Sequence, residues 1–327
     1  MLPTSRVVSV LLMGVGAALF IAGLVAPRVV DQEARLPLDI GELTWTLLDE
    51  AAESMVLADP QRPVVTTPVV RQMHTTLEEP STQDRVMVRV GTSQLRESQQ
   101  EEKDRLMSAQ VWSYEVDRST GAATGPAVLS QQLASPTTEV AGLGSWWKFP
   151  SEVERRSYDA FDETLRASAP AEFQGAEQRD GREVYHFRQV IEPTNVAQLY
   201  PGVFNTTDFP EGEGGEDGRG FLFHSATRDY YVDQVSGLVV DLHERIDDYY
   251  GTADGAKREQ VLAFEGGLVE GQSEQLLAAA QKVARQGHLG VWSWAGIVVG
   301  VVLMVVGALG ALRPGAGGRR RRAEGAS

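Results

Sequence analysis

The 327-residue sequence contains no cysteine, which excludes disulfide bonds, thiolate metal sites and thiol catalysis. It has five histidines, and they are scattered singly along the chain. The sequence patterns of zinc proteases, serine hydrolases, P-loop enzymes and dinucleotide-binding enzymes are all absent. We therefore expect a protein that is not an enzyme, with no metal site and no cofactor.

Positive charge is also scarce. Thirty Lys and Arg residues stand against 45 Asp and Glu residues, which gives a net charge of −15. The two ends of the chain, residues 1–6 and 313–327, hold six arginines and one glutamate, so the residues between these ends carry a net charge of −20. Because such a surface repels the phosphate backbone, we expect no nucleic-acid partner.

Charge is missing altogether from two long apolar segments, Val7–Ala26 and Leu289–Leu312. As helices, segments of this length reach about 30 Å or more, which is the thickness of the hydrocarbon core of a bilayer. Trp292 and Trp294 lie near the start of the second segment, where the aromatic belt of a membrane helix is found. We predict that both segments cross the membrane. Neither contains an ionisable residue that could form a proton or ion pathway.

The first segment has an alternative interpretation as a cleaved signal peptide, with Leu24-Val25-Ala26 as the cleavage site. Pro27 would then follow the scissile bond and block cleavage, so we expect the segment to be retained as an anchor. Arg313 and the four arginines at 319–322 follow the second segment, whereas only Arg6 precedes the first. The positive-inside bias therefore predicts that both termini lie in the cytoplasm.

These features predict a two-pass protein of the plasma membrane. Its parts are a cytoplasmic head (1–6), a transmembrane helix (7–26), an extracytoplasmic domain (27–288), a second transmembrane helix (289–312) and a basic cytoplasmic tail (313–327).

Alternation of apolar and polar residues predicts that the domain between the spans is rich in β-strands. Strands are predicted at Arg85–Leu95, Val111–Val116, Glu183–Ile191, Asp229–Val232, Leu238–Ile246 and Lys257–Phe264. Helices are predicted from a capping-box pattern at Ser151 and Glu154 through Leu165, as a short turn at Asn195–Tyr200, and at Ser273–Gln286. Parallel βαβ alternation is absent. The predicted fold class is α+β, with a β-rich antiparallel domain anchored by two transmembrane helices.

Small residues form a stripe on each predicted span. Gly14, Ala18 and Ala22 recur every four residues in the first, and the second contains Gly296, Gly300 and Gly307. Small residues let membrane helices approach closely. We predict that the spans pair with each other through these faces, or that the faces bind a membrane-protein partner.

Several short motifs together resemble a known family. They are Ala26-Pro27-Arg28, Leu36-Pro37-Leu38-Asp39, Trp147-Lys148-Phe149-Pro150, Glu172-Phe173-Gln174-Gly175, Tyr185-His186-Phe187 and Val232-Asp233-Gln234-Val235-Ser236-Gly237, between two spans and before an arginine tail. In this order they are similar to the actinobacterial porin PorA family, also catalogued as a domain of unknown function. The resemblance implies no catalytic residues. It implies a part in lipid trafficking at the cell envelope.

The sequence leaves three hypotheses for function. Two helices without a polar face cannot enclose an aqueous pore, so the sequence favours an extracytoplasmic domain that binds or moves a lipid or glycolipid over a porin. The alternative is a scaffold or accessory subunit for an envelope-synthesis enzyme or transporter. The third is a hydrolase or transferase, which requires at least two of His186, His224 and His243 to converge with nearby acids in a pocket.

The candidate ligand-binding residues are aromatic. Trp146, Trp147 and Phe149 form one cluster and Tyr249 and Tyr250 a second, and either cluster could line a groove or pack in the core. The acidic, glycine-rich segment 207–220 is a further candidate, for calcium, although its spacing matches no EF-hand and a flexible acidic loop explains it equally.

Overall fold

A computed structural model describes residues 4–29, 34–57, 59–97, 105–131, 136–209, 218–285 and 289–312. The chain divides into two compact units. One contains the two apolar helices, and the other, Ala34–Arg285, is the β-rich domain. Each unit is described by itself.

The helices are α1 (Thr4–Val29), α2 (Gln272–Arg285) and α3 (Leu289–Leu312), with a 3-10 turn at Val196–Gln198. The strands are β1 (Leu43–Met55), β2 (Val64–Ser81), β3 (Arg85–Arg96), β4 (Leu106–Asp117), β5 (Ala127–Ser130), β6 (Thr138–Val140), β7 (Tyr158–Asp162), β8 (Ala167–Arg179), β9 (Arg182–Asn195), β10 (Thr206–Asp208), β11 (Arg219–Asp233), β12 (Val239–Gly251) and β13 (Lys257–Leu268).

Helices α1 and α3 are long and apolar enough to cross a membrane, with mean hydropathies of 2.5 over Val8–Ala26 and 2.2 over Ser293–Gly310. They pack against each other with their backbones in contact. A Cβ atom added at Gly16 would lie 2.7 Å from the carbonyl oxygen of Gly300, and one added at Gly307 would lie 2.7 Å from the carbonyl oxygen of Ser9. At these positions glycine permits the close approach that holds the pair together.

The structure divides the two predicted small-residue stripes. Gly296, Gly300 and Gly307 all lie where α3 meets α1. Gly14, Ala18 and Ala22 lie instead on the exposed side of α1, and Gly16 and Gly23 make the contact in their place. Gly14 and Gly16 are two positions apart, which is about 200° around a helix, so they lie on opposite sides. The predicted α1 residues therefore do not pair the two helices, and they stay a prediction for contact with another membrane helix.

The two glycine positions give a matched test of this packing. We expect Gly16→Leu to weaken the α1–α3 pair by about 1–3 kcal/mol, because the side chain would overlap the backbone of α3. Gly14→Leu should be tolerated, because no atom lies within 4 Å of the added Cβ. The measurement is denaturation of the full chain in detergent, followed by circular dichroism. Equal losses in the two variants would contradict the packing.

The β-rich domain contains a 13-stranded antiparallel sheet in the order β6-β5-β4-β3-β2-β1-β13-β12-β11-β9-β8-β7, with β10 paired to β11 outside this path. Nine strand spacings separate β4 from β7 along the sheet, or roughly 43 Å if the sheet were flat. Yet the rings of Trp112 on β4 and Phe161 on β7 have centroids 5.3 Å apart. The sheet therefore rolls up until its two ends face each other.

The segment from Leu143 to Phe149 lies between these two ends. Ser145 forms a parallel bridge with Ala160 of β7, and Lys148 forms an antiparallel bridge with Leu238. The rolled sheet, this segment and α2 share one hydrophobic core, to which Trp147 and Phe149 belong. Aromatic rings fill the interior of the roll.

The Lys148 ammonium group joins three loops at one end of the sheet by hydrogen bonds. It is buried and donates hydrogen bonds to the carbonyl oxygens of Ser119 at 2.9 Å, Phe149 at 3.0 Å and Ser236 at 2.9 Å. Burial lowers the pKa of Lys148 to about 7, despite the opposing effect of nearby carboxylates. One of these loops also contacts the first residue of the domain, since the Ser151 hydroxyl donates a hydrogen bond to the carbonyl of Ala34.

The predicted α+β fold with antiparallel strands and two terminal apolar helices is confirmed. Tyr185, Phe187, Gln189 and Ile191 share one face of β9, as the alternation of Glu183–Ile191 indicates, and the structure shows that this face is buried. The helix predicted from Ser151 to Leu165 is wrong. The Ser151 hydroxyl bonds to other loops instead of capping a helix, and Tyr158–Asp162 pairs with β8 as a strand. Tertiary pairing outweighs the local capping signal there.

Candidate functional site: a buried ion network

Charged side chains lie on the inner face of the rolled sheet. On β11 the alternation that buries Ala226 and Tyr230 also buries His224 and Arg228. Glu244 on β12 and Arg71 on β2 are buried as well. Ions inside a core need partners within hydrogen-bonding distance, because each loses its hydration.

Glu244 joins the two arginines. Its carboxylate accepts from Arg71 at 2.7 Å and from Nε of Arg228 at 2.6 Å. Along the sheet, β2 and β12 are separated by β1 and β13, or roughly 14 Å if the sheet were flat. The contact between Arg71 and Glu244 therefore depends on the curvature of the sheet.

The network continues from Arg228 to His224. The guanidinium group of Arg228 contacts the Asp162 carboxylate at 2.6 Å. His224 Nε2 lies 3.1 Å from Asp162, and His224 Nδ1 lies 2.5 Å from Asp248. Both ring nitrogens face carboxylates, so both donate and the ring is an imidazolium. Burial alone would lower the pKa of His224, but Asp162 and Asp248 outweigh it and raise the pKa to about 10.

The carboxylates respond in the opposite sense. Burial alone raises the pKa of Asp162, but His224 and Arg228 outweigh burial and hold it well below its usual range. Burial likewise raises the pKa of Glu244, and Arg71 and Arg228 reverse the effect and lower it. These carboxylates therefore stay ionised inside the core, and their ion pairs hold neighbouring parts of the sheet together.

Arg71 extends the network to Glu163, whose carboxylate accepts at 2.8 Å. The seven connected side chains are Asp248, His224, Asp162, Arg228, Glu244, Arg71 and Glu163. Two arginines interrupt this series, and arginine does not release its proton in proteins. The network therefore cannot relay protons from one end to the other.

A cavity of about 40 Å³ lies beside the network. Its walls include Arg71, Glu163, Arg228, Glu244 and Trp146. A cavity of this size holds a few water molecules, whereas pockets for organic ligands measure about 300–1,000 Å³. The cavity is therefore too small for a lipid.

The predicted aromatic residues do not form a groove together. Trp146 lines the small cavity, and Trp147 and Phe149 are buried in the core. Tyr249 stacks on Phe223 with ring centroids 5.3 Å apart, and the Tyr250 hydroxyl donates to the carbonyl of Phe204 at 2.9 Å. All five residues therefore have packing or hydrogen-bonding roles within the domain.

The histidines proposed for an acid–base site also lie apart. His224 points into the core, whereas His186 lies on the opposite face of the sheet and contacts Asp229 at 2.5 Å. His243 is exposed on β12. Among the described residues, no group of three or more acidic or histidine side chains is arranged to hold a metal ion. The calcium candidate at 207–220 lies mostly outside the described residues.

Most of the ion network was not predicted from the sequence. A signal was present, because charged residues alternate in step with apolar ones on β11 and so share their face. Period-two alternation assigns such residues to one face but does not tell which face is buried. Asp162, the partner of Arg228 on β7, was not predicted either, because its segment was predicted to be helical.

Residues 8–309 match the family described as Porin PorA, and the match covers both apolar helices and the domain between them. The chain belongs to the Porin PorA family. Two similar proteins carry the name Porin PorA. One, from Corynebacterium resistens, is 29% identical over 230 residues, which are 60% of this chain and 54% of that protein. The other, from Corynebacterium amycolatum, is 24% identical over 247 residues, which are 67% of this chain and 63% of that protein.

The chain thus spans between about half and two thirds of the length of these two relatives. The predicted resemblance is confirmed, and the family and the two apolar helices identify a membrane protein. The predicted function is wrong. The relatives are named porins, which points to channel activity and not to lipid binding or to a scaffold. The prediction rested on the argument that two helices without a polar face cannot enclose a pore, and it did not consider an assembly of several copies.

The ion network gives a second test. We expect Arg228→Met to destabilise the domain by about 3–5 kcal/mol, because Asp162 and Glu244 would remain buried without their shared partner. Arg188→Met is the matched control, since it removes a half-exposed arginine from Asp229 and should cost less than about 1 kcal/mol. Urea unfolding of the full chain, followed by tryptophan fluorescence, measures both. Equal effects would contradict a structural role for the network.

Proposed function

We propose that this chain is a non-enzymatic membrane protein that forms a channel as an assembly of several copies. The observation that carries the proposal is membership of the Porin PorA family over residues 8–309, together with relatives that are named porins. The requirement for several copies comes from the packing of α1 and α3. Their backbones touch at Gly16 and Gly300, which leaves no lumen between them.

The interior of the β-rich domain does not supply the lumen either. Trp45, Trp112, Trp147, Phe149 and Phe161 fill the described part of the rolled sheet. A pore between copies would be bounded by helices, and the outward faces of α1 and α3 are apolar in their described parts. A pore with apolar walls conducts only when it is wide enough to stay wet.

Contact between copies would use the exposed stripe of Gly14, Ala18 and Ala22 on α1. These residues are free of α3 and let a second helix approach closely. Ala18→Leu should therefore reduce assembly of the channel while leaving the α1–α3 pair intact. Val302→Leu, at an exposed position of α3 and so away from the stripe, is its control.

We further propose that both termini lie in the cytoplasm and that the domain lies outside the plasma membrane, because the arginines at 313 and 319–322 follow α3. The domain, with its negative charge, would then lie on the outer side of the membrane. Such a field concentrates cations and repels anions.

Topology can be tested without background, because the chain has no cysteine. We expect a Val190→Cys variant to react with a membrane-impermeant maleimide in intact cells, since Val190 is exposed on the domain. A Ser327→Cys variant should react only after the membrane is permeabilised. The unsubstituted chain is the control, and the reverse pattern of labelling would contradict the orientation.

Channel activity is tested with the purified full chain in planar bilayers of zwitterionic lipid. We expect discrete conductance steps, and a reversal potential in a potassium chloride gradient that shows preference for potassium. The preference for potassium should weaken in about 1 M salt, because the screening length is about 10 Å at about 0.1 M salt and only about 3 Å at about 1 M. The Ala18→Leu variant should lose the steps and the Val302→Leu variant should keep them. Absence of conductance from protein that is correctly inserted would refute the proposal.

A further inference from the structure

Exposed apolar side chains concentrate at one end of the β-rich domain. In the described part of Ala34–Arg285, nine large apolar side chains are exposed. Six of them lie at the end of the sheet where β1 ends and where β2, β4 and β11 begin: Leu57, Val64, Leu106, Leu199, Val203 and Phe204. We call these six residues the apolar end.

Contacts join the parts of this end. Arg62, in the turn between β1 and β2, bonds to Glu259 at 3.0 Å and to the hydroxyl of Thr207. Arg96, at the end of β3, donates to Ser54 at 2.8 Å. The six residues therefore lie at the same end of one sheet.

The loop that carries the most exposed of these residues is held in place. Val203 and Phe204 are 85% and 55% exposed. The Asn205 side-chain amide donates to the carbonyl of Tyr200 at 2.8 Å, and the guanidinium group of Arg166 lies 3.6 Å from the centre of the Tyr200 ring. The Tyr250 hydroxyl holds the carbonyl of Phe204. A loop already fixed in shape loses little entropy when it binds a partner.

The charge pattern indicates which partner fits. Leu199–Thr207 is nine residues without a charge, in a chain whose residues 7–312 carry a net charge of −20. Two copies of an acidic domain repel each other, and the repulsion is weakest where no charge lies at the contact. Burial of exposed apolar surface at that point supplies the attraction.

We propose that a second copy of this chain docks at the apolar end, with Val203 and Phe204 at the centre of the contact. The contact rests on the assembly of several copies proposed above and adds where the domains of neighbouring copies meet. In a two-fold contact the same residue of each copy approaches its equivalent. Val203 of one copy then lies close to the equivalent valine of its neighbour.

Cysteine substitution tests this contact in the full chain, reconstituted in vesicles of phosphatidylcholine. We expect a Val203→Cys variant to form a disulfide-linked dimer on mild oxidation, because identical residues at a two-fold contact come within the 4.4–6.8 Å Cα separation that a disulfide needs. Phe204→Cys should form the dimer as well. Val190→Cys is the matched control, because Val190 is 53% exposed in the middle of β9, and it should give several-fold less dimer.

A second variant tests the contact without requiring that two cysteines be aligned for disulfide formation. Val203→Asp should lower the fraction of dimer trapped by an amine-reactive crosslinker several-fold, since it places like charges at the contact, whereas Val190→Asp should not. Equal yields at positions 203 and 190 in both experiments would overturn the proposal. If the chain still conducts in that case, the channel stands and the contact is wrong. If conductance is absent too, both proposals fail.

The same variants identify a lipid occupant. If the Val203→Cys variant forms no dimer and is shielded from a water-soluble maleimide in vesicles that hold one copy each, lipid covers the apolar end. That outcome also overturns the contact between copies.

Discussion

The shared carboxylate of Glu244 is the interaction on which the β-rich domain depends. Glu244 on β12 binds both Arg71 on β2 and Arg228 on the adjacent strand β11. In a flat sheet, β1 and β13 would separate β2 from β12. The contact exists because the sheet is rolled, and it also holds the sheet in that shape, since removing one ion would leave each of its buried partners with one ionic contact fewer. The aromatic contact between Trp112 and Phe161 closes the roll on the other side.

Burial and charge oppose each other throughout this network. Desolvation acts against every ion, yet His224 stays protonated and Asp162 stays ionised because each has opposite charges within hydrogen-bonding distance. Lys148 is the contrasting case. Its partners at hydrogen-bonding distance are carbonyls and a hydroxyl, so burial dominates and lowers its pKa. The same physical balance thus produces a stable ion network in one place and a weakly basic lysine in another.

The membrane helices pose a different problem. Close packing at Gly16, Gly300 and Gly307 makes α1 and α3 a tight pair, and tight packing leaves no room for water between them. On the function proposed above, a channel requires more than one copy, and the surfaces left exposed are where the copies would meet. In the membrane these would be the outer faces of α1 and α3, and in the domain the apolar end.

The sequence by itself determined the two apolar helices, the antiparallel strands, which residues share a face of β9, and the family. These follow from length, hydropathy and alternation, which are local properties of the chain. Tertiary structure alone decided which side of α1 meets α3, since both sides of that helix carry small residues. It also decided that Tyr158–Asp162 is a strand, because pairing with β8 outweighs a capping signal. The ion network belongs to the same class: alternation places Arg228 on one face of β11, but only the rolling of the sheet buries that face and brings Arg71, Glu244 and Asp162 to it.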